Sequence, residues 1–316
     1  MTDILVGVLG LVGYVAVAGF ISMWAHRAQA EHGRAAKMGI YLTFGFLWFI
    51  LFLVGASGIA NSWRDGEDPG AGSILLAVLG IAAAVALVPW LRKPLARILP
   101  FDGNSYPDLV ALMFILQVPI ALVGLSFIND DVSTEIRVAD LFINAIAFVS
   151  IAYLGVGFLI NRSFANATQR LGLVKPSLRD IMIALGCVVL ALMASVASSI
   201  LMQIFQPDLV DDLQDTLMEL PGDINVFWAA LLIGLTAAVG EEVLMRGAIQ
   251  PRFGIIFTSL VFALLHVQYG ITFAMVGVFF AGIVFGLERK YVNTTACIIT
   301  HMLYNFIAVM ANSALS

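Results

Sequence analysis

The sequence predicts an all-α, polytopic membrane bundle of about ten transmembrane helices (eight to ten), and three observations predict it. Of 316 residues, 61% are hydrophobic and only 12% are charged, about half the charged share of a soluble domain. The mean hydropathy is +0.98, more apolar surface than a core of this length hides from water. The apolar residues also gather in runs near the ~20 residues that one bilayer crossing needs. A soluble enzyme and a disordered chain are excluded, and nucleic-acid binding is disfavoured. The formal net charge of −5 says less than the distribution of the charges. Cys187 and Cys297 both fall in apolar runs and read as buried thiols, with no disulfide framework.

The runs are 4–24, 39–60, 72–90, 108–128, 139–160, 181–203, 225–249, 254–267, 271–288 and 294–313. The first has no basic residue before it, since Arg27 follows the apolar stretch, so it reads as a retained anchor. The eighth is short and meets the ninth through His266-Val-Gln-Tyr-Gly270, a junction that suits a break within a bent segment. Between the sixth and seventh, residues 205–224 are acidic, with Leu209, Leu213, Leu217 and Leu220 at helical spacing. That pattern predicts an amphipathic helix on the outer surface.

Charge orders these spans. Arg27, Arg34, Lys37, Arg92, Lys93, Arg97, Arg162, Arg170, Lys175, Arg179, Arg246, Arg252, Arg289 and Lys290 all fall in alternate loops on one side. Only Arg64 and Arg137 fall on the other. The opposite loops carry Asp65, Glu67 and Asp68, then Asp130, Asp131 and Glu135, then the acids from Asp208 to Asp223. The positive-inside rule makes the basic side cytoplasmic and puts both termini outside. His26 and His32 then lie in a charged cytoplasmic loop, with a solvated role.

The early spans carry no charged residue in their interiors, whereas the last four hold Glu241, Glu242, Arg246, His266 and His301. Ionisable groups within a membrane are costly and mark function. The chain therefore divides into residues 1–138, an anchoring and packing region, and residues 139–316, which carry the chemistry. Glu242 and Arg246 are four apart with the acid first, the favourable ion-pair order, which leaves Glu241 pointing elsewhere. His301 and Asn305 share one face a turn apart. At 1.5 Å per residue from the cytoplasmic turns, Glu241 lies roughly 13 Å deep, His266 roughly 19 Å, His301 roughly 11 Å and Asn305 roughly 17 Å. All four reach one buried layer. A carboxylate, two imidazoles and a carboxamide make a hydrolytic set: Glu241 takes a proton from water, His266 orients it, and His301 and Asn305 donate to an oxyanion. Alternatively, Glu241, His266 and His301 could hold Zn²⁺ or another divalent metal with an open water position.

Glu241-Glu242-x-x-x-Arg246, Phe262-x-x-x-His266 and His301-x-x-x-Asn305, in this order, resemble the three-motif signature of the CPBP family. These are the CAAX-prenyl-protease and bacteriocin-processing (Abi) intramembrane proteases. Arg170-Leu-Gly-Leu173 resembles the family's lead-in, and the likeness covers roughly residues 165–313. The resemblance implies an intramembrane endopeptidase, glutamate- or metal-dependent, with Glu241 as catalytic carboxylate. By the same resemblance His266 works with Glu241 on the water, His301 and Asn305 form the oxyanion site, and Glu242 and Arg246 support them. Its partners would be the bilayer and a membrane-bound or lipid-modified peptide. Its place would be a bacterial inner (plasma) membrane, with the site opening to the cytoplasm.

Other readings stand beside this one. A non-catalytic membrane protein of immunity or scaffold type would bind peptides without cleaving them. A proton-coupled transporter suits buried Glu and His, but the polar groups occupy one half without the counterpart that a repeat architecture supplies. Gly55-Ala-Ser-Gly58 matches the Gly-x-Ser-Gly pattern of rhomboid serine proteases, yet lies near the opposite end of its span from the histidines. It reads as small-residue helix packing. No His-Glu-x-x-His occurs, which removes the zincin pattern.

Overall fold

The computed structural model describes residues 2–128, 137–210 and 224–315, and among these no β-strand forms. Two compact units divide the chain: Ile21–Ser133, and Met1–Phe20 together with Thr134–Ser316. Helix α1 (Thr2–Gln29) runs through the boundary between them.

The unit of residues 21–133 holds α2 (Arg34–Asp65), α3 (Ala71–Leu87), α4 (Pro89–Leu95) and α5 (Tyr106–Ser126). Helix α3 packs between α2 and α5. At Gly55 the backbones of α2 and α3 approach so closely that a Cβ would lie 2.5 Å from the Ala77 nitrogen. Ser57 in the same stretch donates its hydroxyl to Val54 O at 2.9 Å and is exposed. Gly55-Ala-Ser-Gly58 is therefore a helix-packing device. Helix α3 ends at Val88, held extended by the proline after it, and α4 starts on that proline at an angle of 78° to α3. The buried Arg92 reaches back across the bend. It donates to Ala86 O at 2.6 Å, Leu87 O at 3.3 Å and Gly103 O at 2.8 Å, which satisfies carbonyls that the end of a helix leaves open.

The other unit contains α6 (Val138–Gly155), α7 (Phe164–Arg170), α8 (Leu178–Phe205), α9 (Val226–Glu242), a π-helical turn (Val243–Ile249), α10 (Gln250–Phe253), α11 (Ile255–Leu264), α12 (Phe273–Tyr291) and α13 (Thr294–Leu315). Helix α9 packs on α6 and α13, while α12 packs on α8 and α11. Small residues permit the first two contacts: a Cβ at Gly240 would lie 2.9 Å from Ala145 Cα, and one at Gly234 2.8 Å from Met302 O.

A polytopic helical bundle is what forms, but the count of ten is not confirmed and the lower end of the eight-to-ten range fits better. Among the described residues, seven helices are long and apolar enough to cross a membrane, or eight if α3 and α4 form one bent span. The eighth predicted span falls short because α11 has ten residues, about 15 Å of rise against a hydrocarbon core near 30 Å. The ninth, α12, ends in Glu288, Arg289 and Lys290. The predicted surface helix of residues 205–224 begins with a short 3₁₀ turn, Pro207–Leu209; Leu213, Leu217 and Leu220 lie outside the described residues, as do Asp130, Asp131 and Glu135. Both cysteines are free, Cys297 buried and Cys187 half-buried. His32 is exposed, whereas His26 is half-buried in the last turn of α1.

Candidate active site

Four segments build the site, and each is set in place by local chemistry. Helix α9 begins at Asn225, whose side chain accepts from Phe227 N, the N-cap bond that an exposed helix start needs. Its C-terminal end brings Glu241 and Glu242, and the chain then enters the π turn that carries Arg246. A π turn is rare and is found most often at functional positions; hydrophobic spacing could not reveal it, because apolar residues surround it on either helical reading. Helix α11 stops at Leu264, leaving His266 at the break. The return begins at Thr272, whose hydroxyl accepts from Ala274 N and donates to Tyr269 O. Non-helical backbone at membrane depth is tolerated only inside protein or beside water, so this break suits a site and not a lipid-facing surface. Asn293 caps the first turn of α13, accepting from Ala296 N, and α13 carries His301 and Asn305.

The Arg170–Leu173 stretch fastens these parts. Thr294 donates its hydroxyl to Leu171 O at 2.6 Å and its backbone N–H to Gly172 O. Arg170 donates to Gly247 O in the π turn. Leu171 is fully buried with Val243, Ala152, Val156 and Ala167. A lead-in that looked like a family signature in the sequence is, in the fold, a latch between the π turn and α13.

Within the site the two acids take different partners. Glu242 is fully buried. Its Oε1 accepts from His301 Nδ1 at 2.9 Å, and its Oε2 lies 3.2 Å from Arg246 Nε. The second contact is an ion pair without hydrogen-bond alignment. Arg246 is also fully buried and sits over Phe262, 4.8 Å from the ring centroid, with Phe285 at 5.8 Å. Those rings stabilise a guanidinium that lacks water. Phe285 also stacks on His301 at 5.0 Å, and Phe262 meets His301 edge-on. Phe285 is a site residue that sequence reasoning missed: it lies in an apolar run of α12, where one more phenylalanine carries no signal.

Glu241 faces the other way. Its Oε2 is buried, has no hydrogen-bond partner among the described residues, and lies 4.0 Å from His266 Nε2. His266 Nδ1 is 2.7 Å from Phe262 O. A carbonyl can only accept, so Nδ1 carries the hydrogen and the neutral ring keeps a lone pair on Nε2. Tyr269 stacks on the same imidazole at 5.8 Å. Asn305, half-buried, makes no side-chain hydrogen bond among the described residues and shares the His301 face of α13. As for a metal, His301 commits Nδ1 to Glu242, and among the described residues no three His, Cys, Asp or Glu side chains gather closely enough to hold an ion. Glu241, His266 and His301 do not form a three-ligand centre in this arrangement.

Comparison with known proteins agrees with the motif resemblance. Residues 223–307 match the family model described as Type II CAAX prenyl endopeptidase Rce1-like, roughly a quarter of the chain, and the stretch that contains all three motifs. The match supports an intramembrane protease acting on a peptide. No curated protein and no solved structure matched the chain.

Proposed function

Taking residues 223–307 as a CAAX-endopeptidase-like domain, we propose that the chain is a glutamate-dependent intramembrane endopeptidase whose catalytic carboxylate is Glu241. One observation carries the reading: the unpartnered, buried Glu241 Oε2 stands 4.0 Å from a His266 nitrogen whose lone pair is free. A water beside that gap reaches both atoms. It donates one hydrogen to Glu241 and the other to His266 Nε2, which leaves its oxygen lone pairs open to attack. Glu241 takes the proton as the oxygen bonds to the scissile carbonyl carbon. The oxyanion that forms accepts from the Asn305 amide and from His301 Nε2, a donor only when the ring carries a hydrogen on both nitrogens, with Nδ1–H on the Glu242 carboxylate. The C–N bond then breaks as Glu241 returns its proton to the leaving nitrogen.

Glu242 is a positioning residue in this scheme. It holds His301 by Nδ1, so the ring presents Nε2 in one orientation, and Arg246 balances the charge that Glu242 brings into the interior. The substrate is a membrane-bound or lipid-modified peptide whose scissile end the surrounding helices shield from bulk water. Residues 139–316 carry the protease core, and residues 1–138 anchor it in a bacterial inner membrane. The basic loops and the site face the cytoplasm and the termini lie outside.

The test compares Glu241→Gln with wild type, both as purified protein on a lipidated reporter peptide and in the membrane proteome. The substitution keeps shape but cannot accept the proton, so kcat falls at least a hundredfold and uncleaved precursors accumulate. Wild-type activity persists in chelator, and metal analysis finds no stoichiometric ion. Undiminished cleavage by a folded Glu241→Gln protein overturns the assignment; loss of activity in chelator, restored by a divalent ion, overturns the glutamate-only mechanism.

A further inference from the structure

The unit of residues 21–133 has a cavity of about 200 Å³ where α2, α4 and the start of α5 meet. That space equals several waters at ~30 Å³ each and suits a phosphate group. Arg92 lines it and is 5% exposed. Its Nε and Nη1 donate to backbone carbonyls. Among the described residues Nη2 makes no hydrogen bond or ion pair to protein, and, unlike the Arg246 nitrogens, it is not sealed away from open space. A largely buried guanidinium with a donor that opens onto the cavity is set to meet an acceptor placed there.

The rest of the lining fits an anion. Lys93, Asn104 and Ser105 add polar groups, and Lys37 lies over the Tyr106 ring at 5.5 Å. Ser105 is the N-cap of the 21-residue α5, so the positive end of that helix dipole is at the cavity. Two acids are near, but neither lines it: Asp102 accepts from Asn104 N, and Asp108 accepts from Asp102 N. The surroundings suit a bilayer interface. Helix α4 bends 78° away from the apolar α3, and Trp90 and Ile98 flank it at 73% and 80% exposure. Basic pockets between helices at the interface are where anionic headgroups bind.

We propose that this cavity binds a phosphate-bearing anion, with Arg92 Nη2 and Lys93 as its principal donors. An acidic phospholipid headgroup is one source of that chemistry and free phosphate the other. The full-length protein in nanodiscs of phosphatidylcholine, with and without phosphatidylglycerol, is examined by native mass spectrometry for retained lipid. The same protein in a neutral detergent is heated with and without inorganic phosphate. Wild type retains phosphatidylglycerol at least fivefold over phosphatidylcholine if the source is lipid, or gains thermal stability from phosphate if it is soluble. Lys93→Gln with Asn104→Ala, both exposed positions, lowers whichever effect is seen about fivefold without changing the melting temperature in plain detergent. Arg92→Lys, where it folds, does the same through loss of the planar fork. Absence of both preferences in wild type, or their full retention in the Lys93 and Asn104 double variant, overturns the proposal.

Discussion

Phe262 and Phe285 hold the charged side chains of the site, so ring size at these two positions sets how well His301 and Arg246 are placed. Replacing Phe285 by Leu removes the stacked face beneath His301 and one of the two rings near Arg246. Such contacts contribute about 1–2 kcal/mol when desolvated. If His301 acts on the oxyanion, that loss appears in the transition state: kcat falls about tenfold while KM stays nearly constant. Steady-state cleavage of a lipidated reporter checks it, and a rise in KM alone would show that Phe285 shapes substrate binding instead. At this scale the sequence displayed the polar residues well, because Glu241, Glu242, Arg246, His266 and His301 are conspicuous in an apolar background. Their partners were less visible. That one oxygen of Glu242 serves His301 depends on how α13 lies against α9, which spacing along one helix does not report. The roles of Phe285 and Arg92 were hidden for opposite reasons, one as another apolar residue and the other as another basic loop residue.

The element that sets the site apart is the π turn after Glu242. One extra residue per turn there changes the register between the two acids and everything that follows, and lets Arg246 fold back beneath Phe262. Deleting Leu244 returns the segment to α-helical register. The expected result is a folded, inserted protein that has lost cleavage, because Glu241 and Glu242 are turned by about 100° relative to the latch at Leu171 and Gly247. Circular dichroism and reporter cleavage decide it; retained cleavage would mean that the turn is incidental. A control comes from α8, whose start has a Ser177–Asp180 capping box that makes no hydrogen bond to Glu241, Glu242, His266, His301 or Asn305. Ser177→Ala costs about 1 kcal/mol of stability and leaves kcat unchanged. Helix ends of this kind were legible in the sequence to within a few residues. The shortness of α11 was legible only as an oddity, since a ten-residue apolar run reads equally as a half-span or as the start of a longer one.

At the scale of the molecule, the path of the chain across the bilayer is tested most sharply at α3. The end of α2 and the loop before α3 hold Asp65, Glu67 and Asp68, and the segment after α3 holds Arg92, Lys93 and Arg97. The positive-inside rule predicts that the two ends lie on opposite sides. Geometry imposes a condition: α3 has 17 residues, a rise near 26 Å, so it spans a core of about 30 Å only with flanking residues at the interface. Helix α4 is bent 78° from α3, so with α3 upright it would add little depth and keep Trp90, Arg92 and Lys93 near one interface. Cysteines introduced singly at Glu67 and Arg97 report the outcome. A membrane-impermeant maleimide added to intact cells labels the Glu67→Cys protein, and labels the Arg97→Cys protein only after the membrane is opened. The native thiols interfere little, since Cys297 is buried and Cys187 half-buried within a membrane helix. Labelling of both positions from one side would make α3 and α4 a re-entrant pair. It would reverse the sidedness predicted for every later span, and move the opening proposed for the Glu241 site from the cytoplasmic to the outer face.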